Sequence, residues 1–176
     1  MNIAVVILNW NGKNLLQQFI PDLIRYSKEA RIYLIDNGSD DDSVPFIKKK
    51  FSEINVILNQ NNLGYAEGYN IGLQEINEDI LCLINNDIRV SKNWLLPIID
   101  FFKQNPNTVI TQPHILDEKD PQKFEYAGAA GGYIDRLGYP FCRGRIFNHL
   151  EKDNGQYDKN KSICLLYTSD AADDSL

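Results

Sequence analysis

Four short apolar runs alternate with amphipathic stretches along the first hundred residues, and three of these runs give way to amides and carboxylates. Residues 3–8, IAVVIL, carry no polar side chain and are rich in Val and Ile, the pattern of a strand covered on both faces in a parallel sheet. Over residues 13–26, Leu15, Leu16, Phe19, Ile20, Leu23 and Ile24 recur at spacings of three and four, which lines one face of a helix that Pro21 is expected to kink. The unit then repeats. A strand at 31–35 leads through the loop DNGSDDDS into a short helix at 43–51, with Pro45 near its start. A strand at 55–58, a helix at 66–76 loosened by Gly68 and Gly72, and a strand at 80–84 follow. A helix at 94–104 and a fifth strand at 108–111 complete the series. Strand and helix alternating through short connections predict an α/β fold, a mostly parallel sheet flanked by helices and joined by right-handed crossovers.

Such sheets bind ligands beyond the carboxyl ends of their strands. Polar residues fall there three times: Asn9 and Asn11 after the first strand, Asp36 and Asn37 after the second, and Asn85, Asn86 and Asp87 after the fourth. Buried polar groups cost free energy unless they are paired, so the cluster after ILCLI belongs on a rim that meets water, a ligand or a metal. Each group alone also has a plain reading. Residues 36–43 read as a loop capping the next helix, NWNG as a strand-to-helix turn with a capping Asn, and Asn85 to Asp87 as a loop cap. Convergence of all three on one rim is what favours a ligand site. His114 and His149 have no partners at metal-ligand spacing and read as structural or exposed.

Composition removes other classes. The 176 residues, 43% apolar and 24% charged, suffice for one domain with a proper core. A net charge of -6, with basic clusters only in IKKKF and CRGRIF, argues against a nucleic-acid partner. Cys82, Cys142 and Cys164 lie far apart, which suggests neither a zinc site nor a disulfide framework and fits a reducing cytoplasm. The first apolar run has no basic residues before it and is too short to span a bilayer, so export or insertion is not expected.

Taken in order, VVILNWNGKNLL, YLIDNGSDDDSV, NQNNLGYAEGYNIGL and LCLINNDIRVSKNWL resemble the N-terminal part of a family 2 glycosyltransferase, whose nucleotide-sugar-binding fold is called GT-A. The resemblance continues through QPHIL, FEYAGAAGGYIDRLGYPFCRGRIF and DNGQYD, as far as residue 158. It implies that NND stands in the place of the family's D-x-D motif. Asp87 would then hold a divalent cation, Mg²⁺ or Mn²⁺, that bridges the donor's diphosphate. Asn85, in place of the first Asp, and the adjacent Asn86 would offer amides to the ribose or diphosphate. Asp36 matches the family's base-binding Asp, which accepts the imide N–H of uracil or thymine, and Asn9, Asn11 and Gly64 would line the same nucleoside pocket.

The implied activity is inverting transfer of a sugar from a dTDP- or UDP-sugar to a glycan or lipid-linked acceptor. EYAGAAGG and RLGYPFCRGR are similar to bacterial members assigned to rhamnose. In the family the general base is an Asp or Glu that follows the DNGQYD region. No catalytic residue is assigned in this chain, which is expected to be truncated before that base. The ending from Cys164, CLLYTSDAADDSL, departs from the family and resembles translated sequencing-adapter read-through. Residues 1–163 are therefore taken as the incomplete GT-A domain and 164–176 as a non-native tail. A lipid-linked acceptor would bring the enzyme to the inner membrane face, although no basic amphipathic helix supports that contact. Two other readings are a nucleotide-sugar-binding module without turnover and a Rossmann dehydrogenase. The latter is disfavoured because NWNGKNL supplies no G-x-G-x-x-G.

Overall fold

A computed structural model describes residues 1–125, 130–146 and 148–157. The chain divides into two compact units, Met1–Pro97 and Ile98–Leu176. The first is built from β1 (Ile3–Asn9), α1 (Lys13–Tyr26), β2 (Arg31–Asn37), α2 (Ser43–Lys50), β3 (Asn55–Asn59), α3 (Gly64–Gly72), a 3₁₀ turn (Leu73–Glu75) and β4 (Ile80–Ile84). Its four strands pair in parallel in the order β3-β2-β1-β4.

That order explains the burial. β1 is central, and its Ala4, Val5 and Val6 are wholly buried, so side chains that alternate between the faces are covered on both. On one face Ala4, Val6, Ile35, Ile57, Tyr69 and Ile76 form a single cluster, with Tyr69 contributed by α3. The chain runs outward from β1 through β2 to β3 and then returns to the far side of β1. Right-handed crossovers therefore put α3 on the opposite face from α1 and α2. α1 buries Leu16, Phe19, Ile20 and Leu23 of its expected apolar stripe, leaves Leu15 exposed and Ile24 half-buried, and continues past Pro21 to Tyr26. Each such side chain removed from water contributes about 1.5–3 kcal/mol.

Several expectations change. β1, β2 and β3 run on to Asn9, Asn37 and Asn59, and the polar ends stay in the ladder, Asn9 beside Asp36 and Asn37 beside Asn59. Their side chains find hydrogen-bond partners there, so polarity does not end the strand. The helix expected at 66–76 begins at Gly64 and passes into the 3₁₀ turn after Gly72. Gly72, where the α-helix gives way, also lets it approach the sheet closely, because a Cβ there would lie 2.7 Å from Ile35 Cγ1. No strand forms over 108–111, where Val109 is 87% exposed and Ile110 48%. A β-branched run becomes a strand only where a neighbour completes its ladder. β4 is an edge strand whose Leu81 and Leu83 are exposed, so its apolar sequence covers a half-buried strand.

α4 (Leu95–Gln104) starts in the first unit and runs into the second. The second unit also holds the antiparallel pairs β5 (Gly132–Ile134) with β6 (Pro140–Cys142) and β7 (Arg145–Ile146) with β8 (His149–Leu150). Its core is Phe124 with Ala130, against which Cys142 and Tyr157 pack. The Arg143 guanidinium lies over the Tyr133 and Tyr157 rings and donates through Nη2 to the Ala130 carbonyl at 2.8 Å. Residues 126–129 of EYAGAAGG, Cys164 and the tail at 164–176 lie outside the described residues. Among the described residues no helix is long and apolar enough to cross a membrane.

Candidate functional site

The winding order reverses beside β1: β2 lies on one side of it and β4 on the other, all parallel. This makes the carboxyl ends of β1 and β4 a topological switch point, where an open α/β sheet leaves a crevice. The β1–β2 ladder reaches the pair Asn9 and Asp36, whereas the β1–β4 ladder ends at Ile7 and Ile84. The two neighbours of β1 thus part from it at different heights.

Asn9 is wholly buried at this point and joins the two sides. Its Nδ2 donates to Asp36 Oδ1 at 3.1 Å and to Ser39 Oγ at 3.3 Å, while its Oδ1 accepts from Asn86 Nδ2 at 3.2 Å. Gly12 leaves the room this requires, because a Cβ there would collide with both Asn9 Oδ1 and Asn86 Nδ2. Asp36, 3% exposed, is held by its own loop. Ser39 donates its hydroxyl to Oδ1 at 2.6 Å and its backbone N–H to Oδ2 at 2.9 Å. Three donors on one carboxylate leave it acceptor capacity for one more.

The rest of the DNGSDDDS loop does the capping that sequence suggested for the whole. Asp41 accepts the backbone N–H of Lys13, first residue of α1, at 3.1 Å and that of Ser43, first residue of α2, at 2.9 Å. One carboxylate therefore serves two helix N-termini, where negative charge is favoured. Desolvation, the largest single influence on Asp41, pushes its carboxyl up. The hydrogen bonds from Ser43 and Lys13, with the Lys13 ammonium, outweigh this and hold it below the usual carboxylate range. Asn11, at φ 50°, accepts the N–H groups of Asp40 and Asp41 through Oδ1 at 2.9 and 3.3 Å.

A second amide network lies at the carboxyl ends of β2 and β3. Asn37 donates to Asn62 Oδ1 at 2.9 Å and to the Gly64 carbonyl at 3.0 Å, and it accepts from Asn59 Nδ2 at 3.0 Å. Gly64 thus sits at the start of α3, bound to the end of β2. Asn85 and Asp87 stand exposed beyond β4, with Asn86 half-buried between them.

The structure therefore brings Asn9, Asp36 and Asn86 into one hydrogen-bonded chain. It ties Asn11 and Gly64 to the flanking loops and leaves Asn85 and Asp87 free to face solvent. Among the described residues no three His, Cys, Asp or Glu side chains gather as a ligand set. What the β4 end offers a cation is the Asp87 carboxylate with neighbouring amide oxygens. That donor set suits a hard cation whose remaining ligands are phosphate oxygens and water. Sequence reading missed Gly12, Ser39, Asp41 and Tyr69. Ser39, three residues after Asp36, and Asp41, two before a helix start, carry the local signature of side-chain-to-backbone turns.

The family model described as "Glycosyl transferase family 2" matches residues 4–161. Among solved structures, S. aureus TarS 1-349 in complex with UDP-GlcNAc is similar, with a TM-score of 0.55 and 15% identity over 67% of this chain and 39% of that one. The mannosyltransferase PcManGT from Pyrobaculum calidifontis, in complex with GDP-Man and Mn2+, is similar with a TM-score of 0.51 and 12% identity over 65% of this chain and 33% of its own. Both likenesses are of fold, GT-A, and the chain spans well under half the length of either.

Proposed function

Because the chain belongs to glycosyl transferase family 2, we propose that it binds the nucleotide diphosphate of a sugar donor at the carboxyl ends of β1, β2 and β4. The observation that carries the reading is Asn9, which joins Asp36 on one side of the switch point to Asn86 on the other. A donor has two ends to hold, a base and a charged diphosphate, and the rim presents a buried acceptor at one place and amides with an exposed carboxylate at the other. That TarS is seen with UDP-GlcNAc and PcManGT with GDP-Man and Mn2+ supports the donor class.

In this reading Asp36 accepts the imide N–H of uracil or thymine with its remaining lone pair, and Asn9, Asn11 and Gly64 border the nucleoside. Asn85 and Asn86 donate to ribose or diphosphate oxygens, and Asp87 holds Mg²⁺ or Mn²⁺. The bound cation supplies charge neutralisation for the departing diphosphate. The donor is a uridine or thymidine diphosphate sugar, with dTDP-rhamnose the first to try. The acceptor is a glycan or a lipid-linked glycan reached from the cytoplasmic side, and transfer inverts the anomeric centre. The general base for the acceptor hydroxyl is assigned to the part of such enzymes that this chain does not span.

A thermal-shift screen of UDP-, dTDP- and GDP-sugars with Mn²⁺ tests the reading. A donor at about a hundredfold excess over its dissociation constant should add about 2.7 kcal/mol of stability. Asp87→Asn should weaken donor binding about tenfold in Mn²⁺, equivalent to about 1.4 kcal/mol, and leave free uridine or thymidine unaffected. Calorimetry with and without EDTA reads this. No shift with any pyrimidine donor sinks the reading, and equal donor affinity of wild type and Asp87→Asn in Mn²⁺ removes Asp87 from it.

A further inference from the structure

The split between β1 and β4 has a specific cause. In a parallel pair the ladder bonds are evenly spaced and alternate residues face the same neighbour. Ile80 N–H donates to the Asn2 carbonyl at 3.1 Å, so the even-numbered residues of β1 face β4. With the register Val6 beside Leu83, the next bond in the series would run from Leu8 N–H to the Ile84 carbonyl. A side chain stands in that place. Leu8 N–H donates to the Tyr69 hydroxyl at 3.2 Å, and the hydroxyl donates to the Ile84 carbonyl at 2.9 Å, with the Val6 carbonyl 3.4 Å away. The phenol is threaded between two strands as a link in their ladder.

We propose that Tyr69 is a positioning residue whose hydroxyl, inserted into the β1–β4 ladder, holds the carboxyl ends of these strands apart so that the diphosphate end of a nucleotide can enter between Asn9 and the 85–87 loop. The second half of this statement rests on the donor-binding reading above. The first half rests on the ladder alone.

The site for the phenol is built rather than incidental. Tyr69 is 3% exposed, belongs to the cluster of Ala4, Val6, Ile35 and Ile57, and meets Tyr65 edge-on with ring centroids 5.1 Å apart. α3 delivers the ring from one face of the sheet, so packing fixes how far the hydroxyl reaches. Burial pushes the phenol well above its ordinary value, and the neighbouring Tyr65 adds to this. The hydroxyl consequently stays protonated, and so a donor, near neutral pH. Without it, two backbone groups need partners, and each is the other's natural one. Closing that single bond would draw Asn85 to Asp87 toward Asn9 and narrow the crevice from its floor.

The test uses Tyr69→Phe, which removes one oxygen and keeps the ring. In the wild-type protein, nuclear magnetic resonance should show a slowly exchanging Tyr69 hydroxyl proton and no through-hydrogen-bond coupling from the Leu8 amide to the Ile84 carbonyl. In Tyr69→Phe that coupling should appear. UDP affinity in Mn²⁺ should fall about tenfold while uridine affinity is unchanged, the loss expected when one well-placed contact is displaced. A merely structural tyrosine would lower the melting temperature and leave the UDP-to-uridine ratio alone, and that result overturns the proposal. So does a direct Leu8–Ile84 coupling in the wild type, a measurement that needs no variant to fold. If wild-type protein binds neither UDP nor any other pyrimidine nucleotide, the donor reading fails. The coupling, which needs no ligand, then decides the wedge on its own: its absence from Tyr69→Phe overturns it.

Discussion

Asp36→Ala should lower the unfolding free energy by about 3 kcal/mol, because it strips a buried carboxylate from three donors at once. The two Ser39 donors lose their acceptor, and Asn9 Nδ2, with no solvent to turn to, keeps only the Ser39 hydroxyl. A protein of this size has about 5–15 kcal/mol in total, so the loss is a large share. Asp36→Asn should fall between, since its amide oxygen can still accept from Asn9 and the Ser39 hydroxyl while its NH₂ faces the Ser39 N–H. Urea unfolding of the three proteins should rank them wild type, Asn, Ala. If the Ala variant lies within about 0.5 kcal/mol of wild type, the carboxylate is not holding the loop. At temperatures where the variants remain folded, Asp36→Ala should also lose pyrimidine nucleotide binding. Retained affinity would confine Asp36 to the loop.

Gly12→Val is expected to be the other severe change. The backbone there has a negative φ, φ -103° and ψ 23°, so it is not the left-handed region that favours glycine. The obstacle is the side chain's room: even a Cβ collides with Asn9 and Asn86. Forcing a branched side chain into a packed place costs about 1–3 kcal/mol, and here the atoms displaced are those that join the two sides of the crevice. Denaturant unfolding should show the stability loss, and UDP titration a weakening of at least about tenfold, with Gly12→Ala milder in both. A Val variant with wild-type affinity would show that the Asn9–Asn86 bond is dispensable to the site.

Local pattern made much of this legible. α1 occupies the residues its three- and four-residue spacing marks, and β1 is buried on both faces as an unbroken Val- and Ile-rich run demands. Residues 108–111 show the limit, since strand propensity does not supply the neighbour that completes a ladder. The rim residues were legible as a set because each follows a strand. Their wiring was not: that Asn9 reaches both Asp36 and Asn86 depends on β1 lying between β2 and β4, and strand order is a property of the crossovers rather than of any window of sequence. Tyr69 reads from sequence as one more apolar residue in a helix. Its ring does join the core, and only the register of two strands on the far side of the chain shows where its oxygen ends.

The strand order also gives the site a history. Asn9 and Asp36 are separated by 27 residues of chain, Asn9 and Asn86 by 77. The added chain makes the second closure costlier by about 0.9 kcal/mol in loop entropy. β4 moreover follows α3 in the chain and closes against the phenol that α3 carries. The Asp36 side of the crevice is thus assembled among early neighbours, and the Asn86 side waits for the latest strand. Pulse-labelled hydrogen exchange during refolding should find the β2 amide of Ile35 protected before the β4 amide of Ile84, and protection of Ile84 first would refute this order. A chain stalled before β4 docks would already hold Asn9 against Asp36, with one half of its pocket finished and the other not yet in existence.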